Sequence, residues 1–205
     1  AFDIDMLDIE IAKTLVRGDQ QVEHLHLYCK QMLRHFEDDY EYVIVDCPPN
    51  KMFLTQAMLR ACAYYIPVTI PDRISVYGMP RLLRWVREIE RSSKPKMLGY
   101  VLNALNRAGG HPAGKVISQQ AAERRLVRDI TASLEADERA VLGDDPKLGE
   151  LPRLDVIARF LSEEGYKWSR MEFMKETSMQ KSVDQCLVDL AERVIERMED
   201  YRAKT

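Results

Sequence analysis

Residues Tyr42-Val43-Ile44-Val45-Asp46-Cys47-Pro48-Pro49-Asn50 decide how this chain is read. Tyr42 to Val45 is a run without polar alternation, the pattern of a strand buried on both faces of a parallel sheet. Asp46 then sets a carboxylate at the carboxyl end of that strand, where burial without a partner would be costly. A metal-bound water is the natural partner, because ligands of open α/β sheets lie in the crevice beyond the carboxyl ends of the strands. Asp46 is therefore expected at the edge of a ligand site rather than in the core. Pro48 and Pro49 stop the strand and stiffen the turn after it.

Outward from this run, hydrophobic periodicity organises the rest. Val22, Leu25, Tyr28, Cys29, Met32, Leu33 and Phe36 recur at three and four, predicting a helix over 20–36 that packs on the sheet. Helices are also expected over 52–62, 76–91, 116–136, 154–163 and 182–202, and strands over 64–70, 97–102 and 148–152. Gly143-Asp144-Asp145-Pro146 reads as a turn. Strands alternating with crossover helices imply a mostly parallel sheet with helices on both faces. At 205 residues and 46% hydrophobic content, residues 1–205 can bury one sizeable core, so a single domain is expected.

Charge and cysteine usage narrow the function classes. Thirty basic against 33 acidic residues give a formal charge of -3, which argues against a wholly basic nucleic-acid binder and leaves such binding to local patches. One patch is the face formed by Arg81, Arg84, Arg87 and Arg91, opposite Met79, Leu82, Leu83, Val86 and Ile89 on the same predicted helix. It could hold DNA phosphates without reading bases, or be an ordinary solvated face with Arg-Glu pairs. Arg124, Arg125 and Arg128, with Lys115 nearby, form a second basic cluster. Cys29, Cys47, Cys62 and Cys186 are isolated and read as reduced thiols. His24 and His26 point to different helix faces, and His35 and His111 stand alone, so no histidine is assigned a catalytic role.

Further landmarks carry a family resemblance. Asp46-Cys47-Pro48-Pro49, Leu54-Thr55-Gln56-Ala57-Met58-Leu59, Tyr65-Ile66-Pro67-Val68, Pro71 and Gly78 follow in order. Leu98-Gly99-Tyr100-Val101-Leu102-Asn103, then Leu151-Pro152-Arg153 and a helix beginning near Lys181, continue the series. Together they resemble the Walker B half of the ParA/MinD family of deviant Walker ATPases, from about residue 40 onward, with a divergent stretch between about 104 and 150. The resemblance implies an α/β fold, P-loop NTPase-like, with ATP and Mg²⁺ as ligands. Asp46 would be the catalytic acid, holding the metal through water. Asn103 would contact the base, and Pro152 with Arg153 would lie in the loop walling the adenine pocket. It implies a homodimer that binds nonspecific DNA on the nucleoid, in the cytoplasm, and is discharged when a ParB-like or other adaptor protein stimulates hydrolysis.

The family's phosphate loop, Lys-Gly-Gly-x-Gly-Lys-Thr after the first strand, does not precede Asp46, and Ala1 is not an initiator Met. The expectation is a chain lacking its N-terminal Walker A part, inactive towards ATP by itself. Gly109-Gly110-His111-Pro112-Ala113-Gly114-Lys115 has Walker A spacing between a predicted strand and helix. Val116 stands where the Mg²⁺-binding hydroxyl belongs, however, and Pro112 lacks a cradle N–H, so a flexible connection is the better reading. In the closing helix, Val183, Cys186, Leu187, Leu190, Ala191, Val194, Ile195 and Met198 form an apolar stripe. Its polar face mixes acids with arginines, which favours packing on the domain over membrane attachment. Trp168, Met171, Phe173 and Met174 precede it as a cover or a docking surface. The alternative from another class is a non-catalytic interaction module that keeps the sheet and uses the arginine face or this aromatic segment to hold a protein.

Overall fold

The computed structural model describes residues 20–48, 53–88, 95–105, 113–152 and 178–204. Residues 2–15, 109–112, 154–163 and 168–174, together with Arg91 and Arg153, lie outside the described residues. Eleven elements are described: α1 (Gln20–Glu37), α2 (Phe53–Ala61), β1 (Tyr64–Tyr65), β2 (Val68–Thr69), α3 (Arg73–Glu88), β3 (Lys96–Met97), β4 (Tyr100–Leu105), α4 (Ala113–Ser133), α5 (Ala136–Leu142), β5 (Lys147–Pro152) and α6 (Ser178–Lys204). The chain divides into two compact units, Ala1–Tyr65 with Arg84–Lys96, and Ile66–Leu83 with Met97–Thr205.

In the first unit α1 packs on α2. Cys29 and Ala57 are each 1% exposed in this unit, and His26 and Arg60 are buried with them. The predicted stripe of α1 turns out only partly inward: Tyr28, Met32 and Phe36 are exposed, and His26 takes an inward place that an apolar count would not give it. The helix ends where the Asp39 and Tyr40 N–H groups both return to the Phe36 carbonyl, at 3.2 and 3.0 Å. Residues 42–48 carry no strand ladder, and Ile44 is 94% exposed, with Tyr42 and Val43 also exposed. This corrects the expectation of a strand buried on both faces. Such a strand needs a neighbour on its hydrogen-bonding edges and a layer on each face, and the run joins no strand ladder among the described residues. Farther along, Lys96 donates its N–H to the Ala63 carbonyl at 2.9 Å.

The second unit is built on a parallel sheet ordered β2-β4-β5. Val68 lies opposite Val101 and Thr69 opposite Leu102, while Tyr100, Val101 and Leu102 face Lys147, Gly149 and Glu150. The strand expected over 64–70 is divided into β1 and β2 because Pro67 has no N–H to give a ladder, and its carbonyl accepts from Val101 N–H at 3.0 Å instead. Tyr100, Leu102, Leu126, Ile130 and Leu148 are fully buried, so the centre of the sheet is covered on both faces as a parallel sheet requires.

Helix α5 is a separate element in a stretch, 137–142, to which the sequence reading assigns no element. A reciprocal capping box starts it: the Glu138 carboxylate accepts the Glu135 N–H at 3.0 Å, and Glu135 caps the backbone at Glu138. The other Glu138 oxygen accepts the buried Met97 N–H at 3.3 Å. Gly143, at φ 57°, closes the helix in a conformation glycine tolerates at little cost.

Helix α6 packs on β5 and α5, as expected for a domain-packed helix. Polar side chains fasten it. Arg197 donates to the carbonyls of Leu98 (2.7 Å), Asp145 (2.8 Å), Lys147 (3.1 Å) and Pro146 (3.4 Å). Arg193 reaches the Leu148 carbonyl at 3.1 Å, Tyr201 the Met97 carbonyl at 2.8 Å, and Lys204 the Ala140 carbonyl at 2.7 Å. Gly99 sits at φ 118°, and a Cβ there would run into the Arg197 guanidinium and the Pro146 carbonyl. The apolar stripe is wider than the surface it covers: Leu190, Val194 and Met198 are half-buried, while Leu187 and Ile195 remain exposed. No described helix is long and apolar enough to cross a membrane.

Candidate functional site

The sheet's carboxyl edge collects two of the residues singled out in the sequence. Asn103 lies in β4 between Leu102 and Leu105, where the register with β5 shifts. Such an irregularity re-aims side chains next to sites, and Asn103 is exposed there. Pro152 ends β5 directly opposite Leu105, so Asn103 and Pro152 stand at the same carboxyl end of adjacent parallel strands. That is the end at which open α/β sheets hold ligands. The Asn103 amide offers a donor and an acceptor side by side, a match for a base edge.

In the first unit Asp46 is exposed, while Cys47 and Pro48 beside it are half-buried. Its oxygens are the hard donors that Mg²⁺ prefers. Among the described residues no three His, Cys, Asp or Glu side chains converge as a metal cage.

Cys29 of α1, Cys47, and Cys62 just after α2 lie close enough for their charges to act on one another. Burial pushes the Cys62 thiol up to about 11, with Cys47 and then Cys29 adding to the rise. Burial also raises Cys47, helped by the Asp46 carboxylate, and raises Cys29 against the pull of a backbone hydrogen bond. These thiols stay protonated near neutrality and are poor nucleophiles. None of the four cysteines is in a disulfide among the described residues.

The basic candidates separate by surroundings. Arg81 and Arg84 are exposed on α3 and Arg87 is half-buried. Lys115 lies in the first turn of α4. Arg124, Arg125 and Arg128 are exposed farther along α4. Arg125 Nη1 donates to the Tyr77 hydroxyl at 2.9 Å, and its guanidinium carbon lies 4.3 Å from that ring's centroid. Asp129 pairs with Arg125 Nε at 3.5 Å and with Arg128 Nε at 3.3 Å. Sequence reading missed Tyr77 and Asp129. The i,i+4 spacing from Arg125 to Asp129 was the available signal; the Tyr77 contact spans two helices and left none. A surface hollow of about 470 Å³ adjoins Arg128, lined also by Thr131, Ala132, Arg139 and Asp144.

Half-buried Lys147 forms a second ionic cluster, with Glu123 at 2.8 Å and Glu150 at 3.5 Å. Burial lowers its pKa, but the hydrogen bond and charge of Glu123, with Glu150, outweigh that and leave it raised. Burial likewise raises the Tyr100 phenol strongly, reinforced by Glu123, Asp145 and Glu150. Lys147 thereby ties β5 to α4 through Glu123, while the Tyr100 hydroxyl is buried with no hydrogen-bond partner among the described residues.

Comparison with known proteins follows these features. Residues 3–98 match the family described as an AAA domain. A ParA family protein of Chlamydia muridarum is 31% identical over 131 residues, covering 61% of this chain and 50% of the relative. ParA family proteins of Chlamydia pneumoniae and Chlamydia trachomatis serovar D match over the same shares at 30% and 31% identity. The chain thus spans about half the length of the curated relatives it matches. Among solved structures, the Pyrococcus furiosus cell division ATPase MinD superposes with a TM-score of 0.50, covering 82% of this chain and 57% of that one. At 16% identity this likeness speaks for the fold: an α/β, P-loop NTPase-like arrangement of parallel strands and flanking helices.

Proposed function

Because this chain is ParA/MinD-like in sequence and fold, we propose that it serves in an ATP-driven machine that segregates DNA or positions another cargo. The observation that carries this reading is the carboxyl edge of the sheet, where Asn103 and Pro152 stand together on neighbouring parallel strands. Asn103 would present its amide to the adenine edge. Pro152, with Arg153 after it, would wall the base. Asp46, considered by itself in the first unit, would accept hydrogen bonds from metal-bound waters. Bound Mg²⁺ supplies charge neutralisation on the phosphate oxygens. The protein's share of phosphoryl transfer is positioning and electrostatics, which suits one well-placed carboxylate.

In this reading the ATP-bound protein pairs with a second copy and holds nonspecific DNA through exposed arginines of α3 and α4. A ParB-like or other adaptor protein then stimulates hydrolysis and releases it. The test is ATP turnover by the natural polypeptide with Mg²⁺ present. Asp46→Ala is expected to lower turnover by about a hundredfold or more. Asp46 is exposed, so the variant should fold, and unchanged turnover would overturn the assignment.

A further inference from the structure

Three arginines and one carboxylate share the outer face of α4. Arg124 and Arg128, one helical turn apart, and Arg125 beside them are exposed, and Asp129 is the acid set among them. Asp129 holds two of the three. One of its oxygens takes both Nε and Nη2 of Arg128 at 3.3 Å, and the other lies 3.5 Å from Arg125 Nε. Arg125 is held on its far side as well, by the Tyr77 hydroxyl at 2.9 Å and the ring beneath it. Arg125 therefore stands in a fixed pose between an aromatic ring and a carboxylate. Arg128, its side chain 73% exposed, is tied to Asp129 alone among the described residues.

These contacts are worth little as stability. Exposed ion pairs contribute about 0–1 kcal/mol. Their effect on binding is larger in proportion. A phosphate approaching Arg125 or Arg128 must displace the carboxylate or share the guanidinium with it, and it meets a negative charge within the Debye length in either case. Helix α4 thus carries a phosphate-binding face and its own competitor on the same turn.

We propose that Asp129 is an electrostatic brake on the α4 arginine face, setting how tightly that face holds the phosphate backbone of double-stranded DNA. The proposal rests on the DNA-binding reading given above. Arg124 supplies the contact that Asp129 leaves untouched, Arg125 a contact pre-oriented by Tyr77, and Arg128 one that becomes available when Asp129 lets go. A face restrained in this way binds weakly enough to be released and reloaded, which suits nonspecific, reversible attachment.

The test is the affinity of the natural polypeptide for a labelled DNA duplex of random sequence, with MgATP present, over a series of salt concentrations. Asp129→Asn keeps the shape and removes the charge. It is expected to tighten binding about fivefold at low salt. It should also steepen the dependence of log affinity on log salt by about one unit, as one more phosphate is engaged. Arg124→Ala should weaken binding without changing the response to Asp129→Asn. Wild-type binding left unchanged or weakened by Asp129→Asn overturns the brake alone. No salt-dependent binding by either protein overturns the brake and the DNA reading together, and circular dichroism on both confirms that the fold is intact in each case.

Discussion

Helix α6 and the run 42–45 reverse what their composition suggests. The run is apolar throughout, yet Tyr42, Val43 and Ile44 are exposed. Helix α6 is rich in charge, yet Tyr201 is 6% exposed and Arg197 spends its guanidinium on four backbone carbonyls. Burial follows from what an element finds to bond and pack against. Arg197 meets a cluster of carbonyls where β4 and β5 begin, and no carboxylate is needed because peptide oxygens satisfy the donor fork. Desolvation still lowers its pKa, opposed by Asp145 and reinforced by Arg193. The apolar run meets no laddered neighbour among the described residues, and hydrophobicity alone gives a strand no place to sit.

Arg197→Met is the substitution that breaks the comparison hardest. It keeps the aliphatic stem but leaves several carbonyls without their donor, so destabilisation of about 3 kcal/mol is expected. Urea unfolding should show it, with the largest loss of amide protection in α6 and at the starts of β4 and β5. A loss below about 0.5 kcal/mol would mean that the half-buried Leu190, Val194 and Met198 hold the helix and the hydrogen bonds add nothing. Ile44→Ser sharpens the other side. With its side chain 94% exposed, Ile44 buries almost nothing, and the change should stay within about 0.5 kcal/mol. A loss of about 2 kcal/mol would show that this side chain is buried in the protein in solution.

How much of this was legible in sequence follows the range of the forces involved. Helical periodicity is local, and α1, α2, α4 and α6 begin and end within a few residues of their expected limits. The parallel sheet was legible from the alternation of strands and helices. Helix α5 was not, because its start depends on a Glu135–Glu138 capping box whose second oxygen serves Met97, 41 residues away. The inward place of His26 and the outward place of Phe36 reversed polarity within a single stripe, which no count of apolar residues reveals. Asp46 stood out as the carboxylate that opens Asp46-Cys47-Pro48-Pro49, and Asn103 as the polar residue that follows an apolar strand. The register shift at Asn103 and the Tyr77–Arg125 contact, 48 residues apart in sequence, arise only when separate elements meet.

The central claim is that the carboxyl edge of this sheet belongs to an ATP site, and calorimetric titration of the natural polypeptide with ATP, with and without Mg²⁺, tests it most directly. The account predicts binding that tightens with Mg²⁺ and that Asn103→Ala weakens by about tenfold through loss of a paired amide contact. Absence of nucleotide binding, or ATP binding indifferent to both Mg²⁺ and Asn103, would contradict it.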